Sequence, residues 1–441
     1  MARKPTRREF VKTTAAIGAG FWVAGGLQAA DSKSKNEQIQ MASIGIGGKG
    51  SSDSNDAGRS GKMVAICDTD TGRLDGAGKR FKEAKKFTDF RELLDQMGDK
   101  IDAVTVSTPD HTHAAACLKA MRMGKHCFCQ KPMTHSIYEA RLMGEVARKM
   151  KVATQMGNQG TAGSGLRKAA AMMRAGRLGT LKEVHVWSNR PIWPQGCPRP
   201  QSKPCPPNLK WDLWLSVAPK RPYADGYHPF KWRGWWDFGT GALGDMACHT
   251  VNMPFMGCDI RNPTSVQAVT SGHNRDSYPQ WSIIKFEFPA NDWRPAIKFT
   301  WSDGGKRVDP SVLDGDKPRG SGCVVIGTKG KIYSGNDYGG IDKLYGDVDA
   351  SDEGLEYPKS PGHFKEWVNA IKGGPPAMSN FPDYAGPLTE TILLGNLAVW
   401  AANEGEGPKV EWDAKNLKVK NRTDLDKIVK PDYPAGYTLD T

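Results

Sequence analysis

At 441 residues the chain exceeds what one hydrophobic core usually spans, and 38% hydrophobic content with 50 Gly, 29 Pro and 14 Trp excludes a fibre or a disordered chain in favour of loop-rich globular domains. The net charge of +13 is spread along the sequence, and no basic helix is interleaved with stacking aromatics. It therefore describes a solvated surface and argues against nucleic-acid binding, while an anionic glycan stays open.

The first 36 residues stand apart from the rest. Arg7 and Arg8 precede Phe10 and a weakly apolar, glycine-rich run too short for a stable membrane span, which resembles a twin-arginine export signal. Ala29 and Ala30 are small enough for cleavage, although no clean Ala-x-Ala is present; an uncleaved anchor and a chance basic start are the other readings. Export by this route carries folded protein, with any cofactor already inside, to the periplasm or cell envelope, and no stable span is expected after processing.

Residues 37–156 alternate strands and helices. "IQMASIGI", "KMVAICD", "IDAVTVSTP", "GKHCFCQKP" and "KVATQMG" read as strands, with "RELLDQMG", "HTHAAACLKAMRMG" and "SIYEARLMGEVARKM" as helices between them. This alternation predicts an α/β unit, a doubly wound parallel Rossmann sheet. After the first strand, "GIGGKG" sets Gly45, Ile46, Gly47 and Gly50 in the pattern G-x-G-x-x-G, and Asp68 closes the next strand. Glycines let the backbone approach a pyrophosphate at a helix N-terminus, and the acid accepts from both ribose hydroxyls. With Thr69 and Asp70 beside Asp68, a 2′-phosphate would meet negative charge, so NAD is expected over NADP. The bland alternative is a glycine turn followed by an acidic strand end.

Two later strand ends should share the same edge. "STPDHTH" offers Ser107, Thr108 and Pro109, with His113 as a wall of the cofactor pocket or a packing residue. Lys131 ends "GKHCFCQKP", where Pro132 keeps it extended and out of a helix. An ammonium beside a nicotinamide can stabilise a developing alkoxide, although a lone strand-end lysine is commonly a solvated charge. Cys127 and Cys129 share one strand face, which suits core packing; no metal set accompanies them.

Residues 157–415 change texture. A short helix, "SGLRKAAAMMRAGRLG", precedes the strand "TLKEVHVWSN"; residues 191–241 form a loop region dense in Pro and Trp, where Cys197 and Cys205 could pair in an oxidising compartment. Strands follow at "PTSVQAVTSG", "WSIIKFEFP", "PAIKFTWSD", "GCVVIGT" and "GKIYSG" with few helices between them. They predict a C-terminal α+β domain with a mostly antiparallel open sheet able to mediate dimerisation. Helices at "HFKEWVNAIKGG" and "PLTETILLGNLAVWAANEG" pack back, and residues 416–441 are a C-terminal tail. Within "ALGDMACHTVNM", Asp245 and His249 are four apart and share a helix face. That pair suits general base catalysis on a hydroxyl, the aspartate orienting the imidazole; a capped helix with a core histidine is the alternative.

Over residues 37–415 the chain resembles the Gfo/Idh/MocA oxidoreductases, on the glycine turn, "VSTPDHTH", "GKHCFCQKP" and Asp245-x-x-x-His249. The resemblance implies Lys131, Asp245 and His249 as the catalytic group and hydride transfer between a sugar carbon and nicotinamide. It also implies Asn158 and Gln159 near the nicotinamide, and Trp232 and Arg233 on the substrate side. Gln130 stands where the family usually has Glu, which removes a negative neighbour of Lys131 and predicts a lower lysine pKa. A sugar, glycoside or polyol substrate follows, with tightly bound NAD, no metal, and a homodimer or homotetramer. Two alternatives remain: an NAD-dependent glycosidase working by transient oxidation, elimination, hydration and re-reduction, and a non-catalytic glycan-binding protein.

Overall fold

The computed structural model describes residues 38–437 and 439; the export signal expected over 1–36 lies outside them. Six strands, β1 (Gln40–Ile44), β2 (Lys62–Cys67), β3 (Lys85–Phe87), β4 (Ala103–Val106), β5 (His126–Cys129) and β6 (Thr154–Met156), make a sheet in the order β3-β2-β1-β4-β5-β6. Every pair is parallel. β4 is buried at all four positions, as expected of a strand covered by helices on both faces. β3 escaped the periodicity reading because it is a three-residue edge strand whose two lysines are exposed. The strand order reverses between β1 and β4, so the segments leaving them, with Gly45 and Ser107, flank the crevice where such sheets bind ligands.

The second sheet holds β7 (Leu181–Trp187), β8 (Ser265–Thr270), β9 (Ser282–Phe288), β10 (Ile297–Ser302), β11 (Gly322–Gly327), β12 (Gly330–Ser334) and β13 (Lys343–Gly346), with the short β14 (Gly405–Glu406), β15 (Val410–Asp413) and β16 (Lys418–Val419) at one end. Its pairs are antiparallel except β7 with β10. β9 alternates, with Ile284, Phe286 and Phe288 inward and Lys285 and Glu287 exposed, so one face meets the core and the other is polar. The helix Gly386–Ala402 packs on β8, on the helix Ile137–Met150 and on the helix Gly241–Thr250. It is apolar nearly all round because it has neighbours on every side. One hydrophobic cluster accordingly runs from the first sheet to the second, joining Val106 and Leu118 to Leu397 and Phe286.

The Pro- and Trp-rich stretch is a packed unit. Trp214, Tyr223, Tyr227, Trp232, Trp235 and Phe238 form their own buried cluster. It docks on the end of β2 through Lys210 N–H to the Thr69 carbonyl (2.9 Å) and Thr71 N–H to the Asn208 carbonyl (2.8 Å). Cys197 and Cys205 lie half-buried at its margin as free thiols. The last segment folds back too: the Tyr433 hydroxyl donates to Glu139 (2.9 Å), and the Arg91 guanidinium lies 4.3 Å from the Tyr437 ring. Among the described residues no helix is long and apolar enough to cross a membrane.

Candidate active site

A cavity of about 340 Å³ follows the carboxyl edge of the first sheet, between the glycine turn and the aromatic unit. Gly45 has φ 78°, and a Cβ there would sit 2.7 Å from the Ser107 carbonyl; at Gly50 it would sit 2.1 Å from the Gly45 oxygen. The turn therefore closes only with glycine at these positions. The helix Lys49–Ser60 that follows carries no side-chain cap and presents its positive end to the cavity. Asp68 ends β2 with both carboxylate oxygens accepting, one from Ile46 N–H and one from Asp70 N–H, each at 3.0 Å. Burial raises its pKa, against those two N–H groups and Arg73. An uncapped helix end, a glycine-rich turn and a strand-end carboxylate fit a dinucleotide.

Asp70, two residues on, is held below its ordinary pKa, because Asn208 and the Gly72 and Arg73 N–H groups outweigh its burial. It caps the helix Thr71–Gly78 and accepts from Asn208 (2.8 Å), and Arg73, beside it, lies across Gly47 in the cavity wall. Ser107, Thr108 and Pro109 line the cavity. His113 does not: it is 1% exposed, and its ring nitrogens face the carbonyls of Pro132 and Thr108, each at 2.8 Å. It ties the loop after β4 to the loop after β5, so it is a positioning residue behind the wall.

Lys131 reaches from the end of β5 to the helix Gly241–Thr250, where its Nζ donates to the Asp245 carbonyl (2.8 Å) and to Asp245 Oδ1 (2.9 Å). Arg233 Nε donates to the same Oδ1 at 3.0 Å. The Arg233 guanidinium lies 4.2 Å from the Trp232 ring and 4.7 Å from that of Phe230. Burial opposes ionisation of Asp245, but the two cations outweigh it and hold its pKa down to about 2. The expected Asp245 to His249 bond is thus corrected: a carboxylate with two cations within hydrogen-bond reach is held more strongly by them than by a neutral imidazole. His249 sits one turn on, 5% exposed, edge-on to Tyr338, with Nδ1 buried and without a partner. Burial first and the Lys131 charge second push its pKa down to about 3, Asp245 opposing. The ring is neutral at physiological pH, and its buried Nδ1 has no hydrogen-bond partner.

Gln130 is 6% exposed, donates from Nε2 to Asp53 (2.8 Å), and accepts the Lys131 N–H at Oε1 (3.3 Å). Losing a carboxylate at 130 does not strip Lys131 of negative partners, since Asp245 supplies one. Asn158 is fully buried and donates to the Cys248 carbonyl (3.5 Å), while Gln159 is exposed at the start of a short 3-10 turn. Asp53 and Asp110 were missed. Asp110 lines the cavity, accepts from the Thr240 hydroxyl (2.7 Å) and is pushed by burial up to about 6. The signal for Asp53 was its spacing of four from Lys49 on one helix; Asp110 had only its place in "STPDHTH".

Residues 39–158 match the NAD-binding Rossmann half of the Gfo/Idh/MocA oxidoreductases, and residues 180–432 match that family's C-terminal alpha/beta domain. The chain belongs to the Gfo/Idh/MocA oxidoreductase family. Inositol 2-dehydrogenase of Rubrobacter xylanophilus is 31% identical over 113 residues, 25% of this chain and 32% of that one. Levoglucosan dehydrogenase of Pseudarthrobacter phenanthrenivorans is 24% identical over 182 residues, 40% of this chain and 37% of that one. The chain thus spans about a third of the length of these curated relatives. Among solved structures, the WlbA dehydrogenase of Bordetella pertussis, in complex with NADH and UDP-GlcNAcA, shares the fold at TM-score 0.62 and 16% identity, over 86% of this chain and 99% of that one. The family's matched half is an NAD-binding Rossmann fold, and the residues of this Gfo/Idh/MocA chain that fit a dinucleotide are the glycine turn, the helix end and Asp68.

Proposed function

We propose that this protein oxidises a hydroxyl group of a sugar, glycoside or polyol, with NAD as the hydride acceptor. The observation that carries this is Lys131, held by Asp245 at the nucleotide cleft with an unpartnered neutral imidazole, His249, one helical turn away. Bound NAD supplies the two-electron acceptor; everything else falls to side chains. The Lys131 ammonium stabilises negative charge on a substrate oxygen, and His249, kept neutral, is free to take the hydroxyl proton. Asp245 holds Lys131 in place and gathers Arg233 to the same point, and Trp232 and Phe230 beside Arg233 offer faces for sugar stacking. The dehydrogenation of inositol and levoglucosan by relatives supports this substrate class.

Asp68 supports NAD over NADP, and the Arg7-Arg8 start supports export to the periplasm with the nucleotide already bound. Denaturing the mature protein and assaying the released nucleotide tests both: NAD is expected, NADP overturns the preference, and an empty protein overturns retention. The decisive experiment incubates the purified protein with a panel of sugars and glycosides, without added cofactor. A rising reduced-nicotinamide band with a carbonyl product is expected, lost at least 100-fold in Lys131→Ala and in His249→Ala. Hydrolysis with no net reduction would instead establish the redox-neutral glycosidase, and no turnover across the panel would favour a glycan-binding protein.

A further inference from the structure

Asp53 stands on the second turn of the helix Lys49–Ser60, its side chain 2% exposed, behind the cavity wall. Three wall residues from three separate segments donate to it. Lys49, at the start of the helix, gives Nζ to Oδ1 at 2.6 Å. Ser107, after β4, gives its hydroxyl to Oδ2 at 2.8 Å, and Gln130, after β5, gives Nε2 to the same oxygen at 2.8 Å. Gln130 then accepts the Lys131 N–H at 3.3 Å. One buried charge thereby fixes the helix that faces the pyrophosphate, the loop after β4 and the backbone of the lysine.

The arrangement also dictates what residue 130 can be. The Gln130 amide is pressed against Gly157, where an added Cβ would come within 2.4 Å of Nε2, so the side chain has little room to turn away. A carboxylate there would set two anionic oxygens about 2.8 Å apart in a dry site, where like charges cannot both ionise cheaply. We infer that Asp53 is a positioning residue for the nucleotide cleft and for Lys131, and that Asp53 and Gln130 form a matched pair in which the negative charge must sit on one member alone. On this reading the stretch carries Gln before Lys131 because the acid it works with stands on the neighbouring helix.

The inference rests on the cleft being the nucleotide site, which titrating the wild type with NADH checks by itself. The test compares wild type, Gln130→Glu, Asp53→Asn and the double variant Asp53→Asn/Gln130→Glu at pH 8, by thermal melting and by NADH fluorescence titration. Each exchange is nearly isosteric, so packing alone predicts no change. Gln130→Glu is expected to melt lower and bind NADH at least tenfold more weakly, Asp53→Asn to show an intermediate loss, and the double variant to return within about threefold of wild type. If Gln130→Glu fails to fold and the double variant folds and binds, the inference holds. It is overturned if Gln130→Glu matches wild type in both measurements, or if the double variant is no better than Gln130→Glu. Should the wild type fail to bind NADH, the cleft assignment falls, and the melting temperatures alone decide the pairing.

Discussion

Asp245 carries the heaviest electrostatic load in the site, because Lys131 and Arg233 meet on one of its oxygens at 2.9 and 3.0 Å. Removing it leaves two cations facing each other in a largely dry place, so Asp245→Ala is expected to cost about 3 kcal/mol in stability, the usual scale for breaking a buried pair. Lys131→Met leaves Asp245 paired with Arg233 and is expected to cost clearly less; equal losses in denaturant unfolding would reject this ranking. The pKa of Asp245 lies below its ordinary value, at about 2, so its ionic contribution is complete above about pH 4 and fades as pH falls through 2. At this scale sequence reading reached residues whose type and spacing are local: the glycines, Asp68, Lys131, and the four-residue step from Asp245 to His249. It misassigned the partner of Asp245 and left His113 open between pocket wall and packing, because Arg233 and the two carbonyls around His113 are brought in by tertiary folding, which no local pattern encodes.

Among the elements, the helix Ile137–Met150 shows its sequence logic most directly. Ser136 accepts the Glu139 N–H, and Glu139 reaches back to the Ser136 N–H at 2.9 Å, a reciprocal cap that starts the helix beside the Lys131 loop. Ser136→Ala is expected to destabilise the protein by about 1 kcal/mol, read as a lower denaturant midpoint, and no shift would show that the Tyr433 contact holds Glu139 by itself. Long periodic helices and buried strands were legible for this reason: each carries a cap or an apolar rhythm of its own. Short elements such as β3, β14 and β16 have no rhythm to read and exist because a neighbouring edge offers them hydrogen bonds. The aromatic unit read as loop because its order comes from ring packing around Phe238 and not from backbone repetition.

For the molecule as a whole, burial sets the response to acid. Among the described residues eight histidines are held below their ordinary pKa, with His111, His126, His135, His228 and His363 at about 4 and His249 at about 3. Burial is the first cause in each. Between pH 4 and 6.5 the unfolded chain binds protons at these sites that the folded one refuses, so stability falls as pH falls through that window. Five carboxyls are raised, Asp68, Asp110, Glu139, Asp303 and Glu390, and they act the other way, but they are fewer. The melting temperature is therefore expected to drop steadily from pH 6.5 to 4, and a flat profile would contradict the burial argument. A His135→Gln variant should shallow the slope by about 1.4 kcal/mol per pH unit. The parallel and antiparallel halves were both visible in the order of strands and helices; that one apolar cluster fuses them was not, since the helix Gly386–Ala402 shows only that it is buried, not on how many sides. The same fusion brings residues 416–437 home. Tyr437 lies in the cavity wall beside Phe90, four strand steps from Lys131 and so roughly 19 Å along the sheet edge at about 4.8 Å per step. In practical terms, Tyr437 is a place in the cavity wall that can be altered without touching either sheet, so ligand affinities measured on chains labelled or substituted there should be compared with those of the unaltered chain.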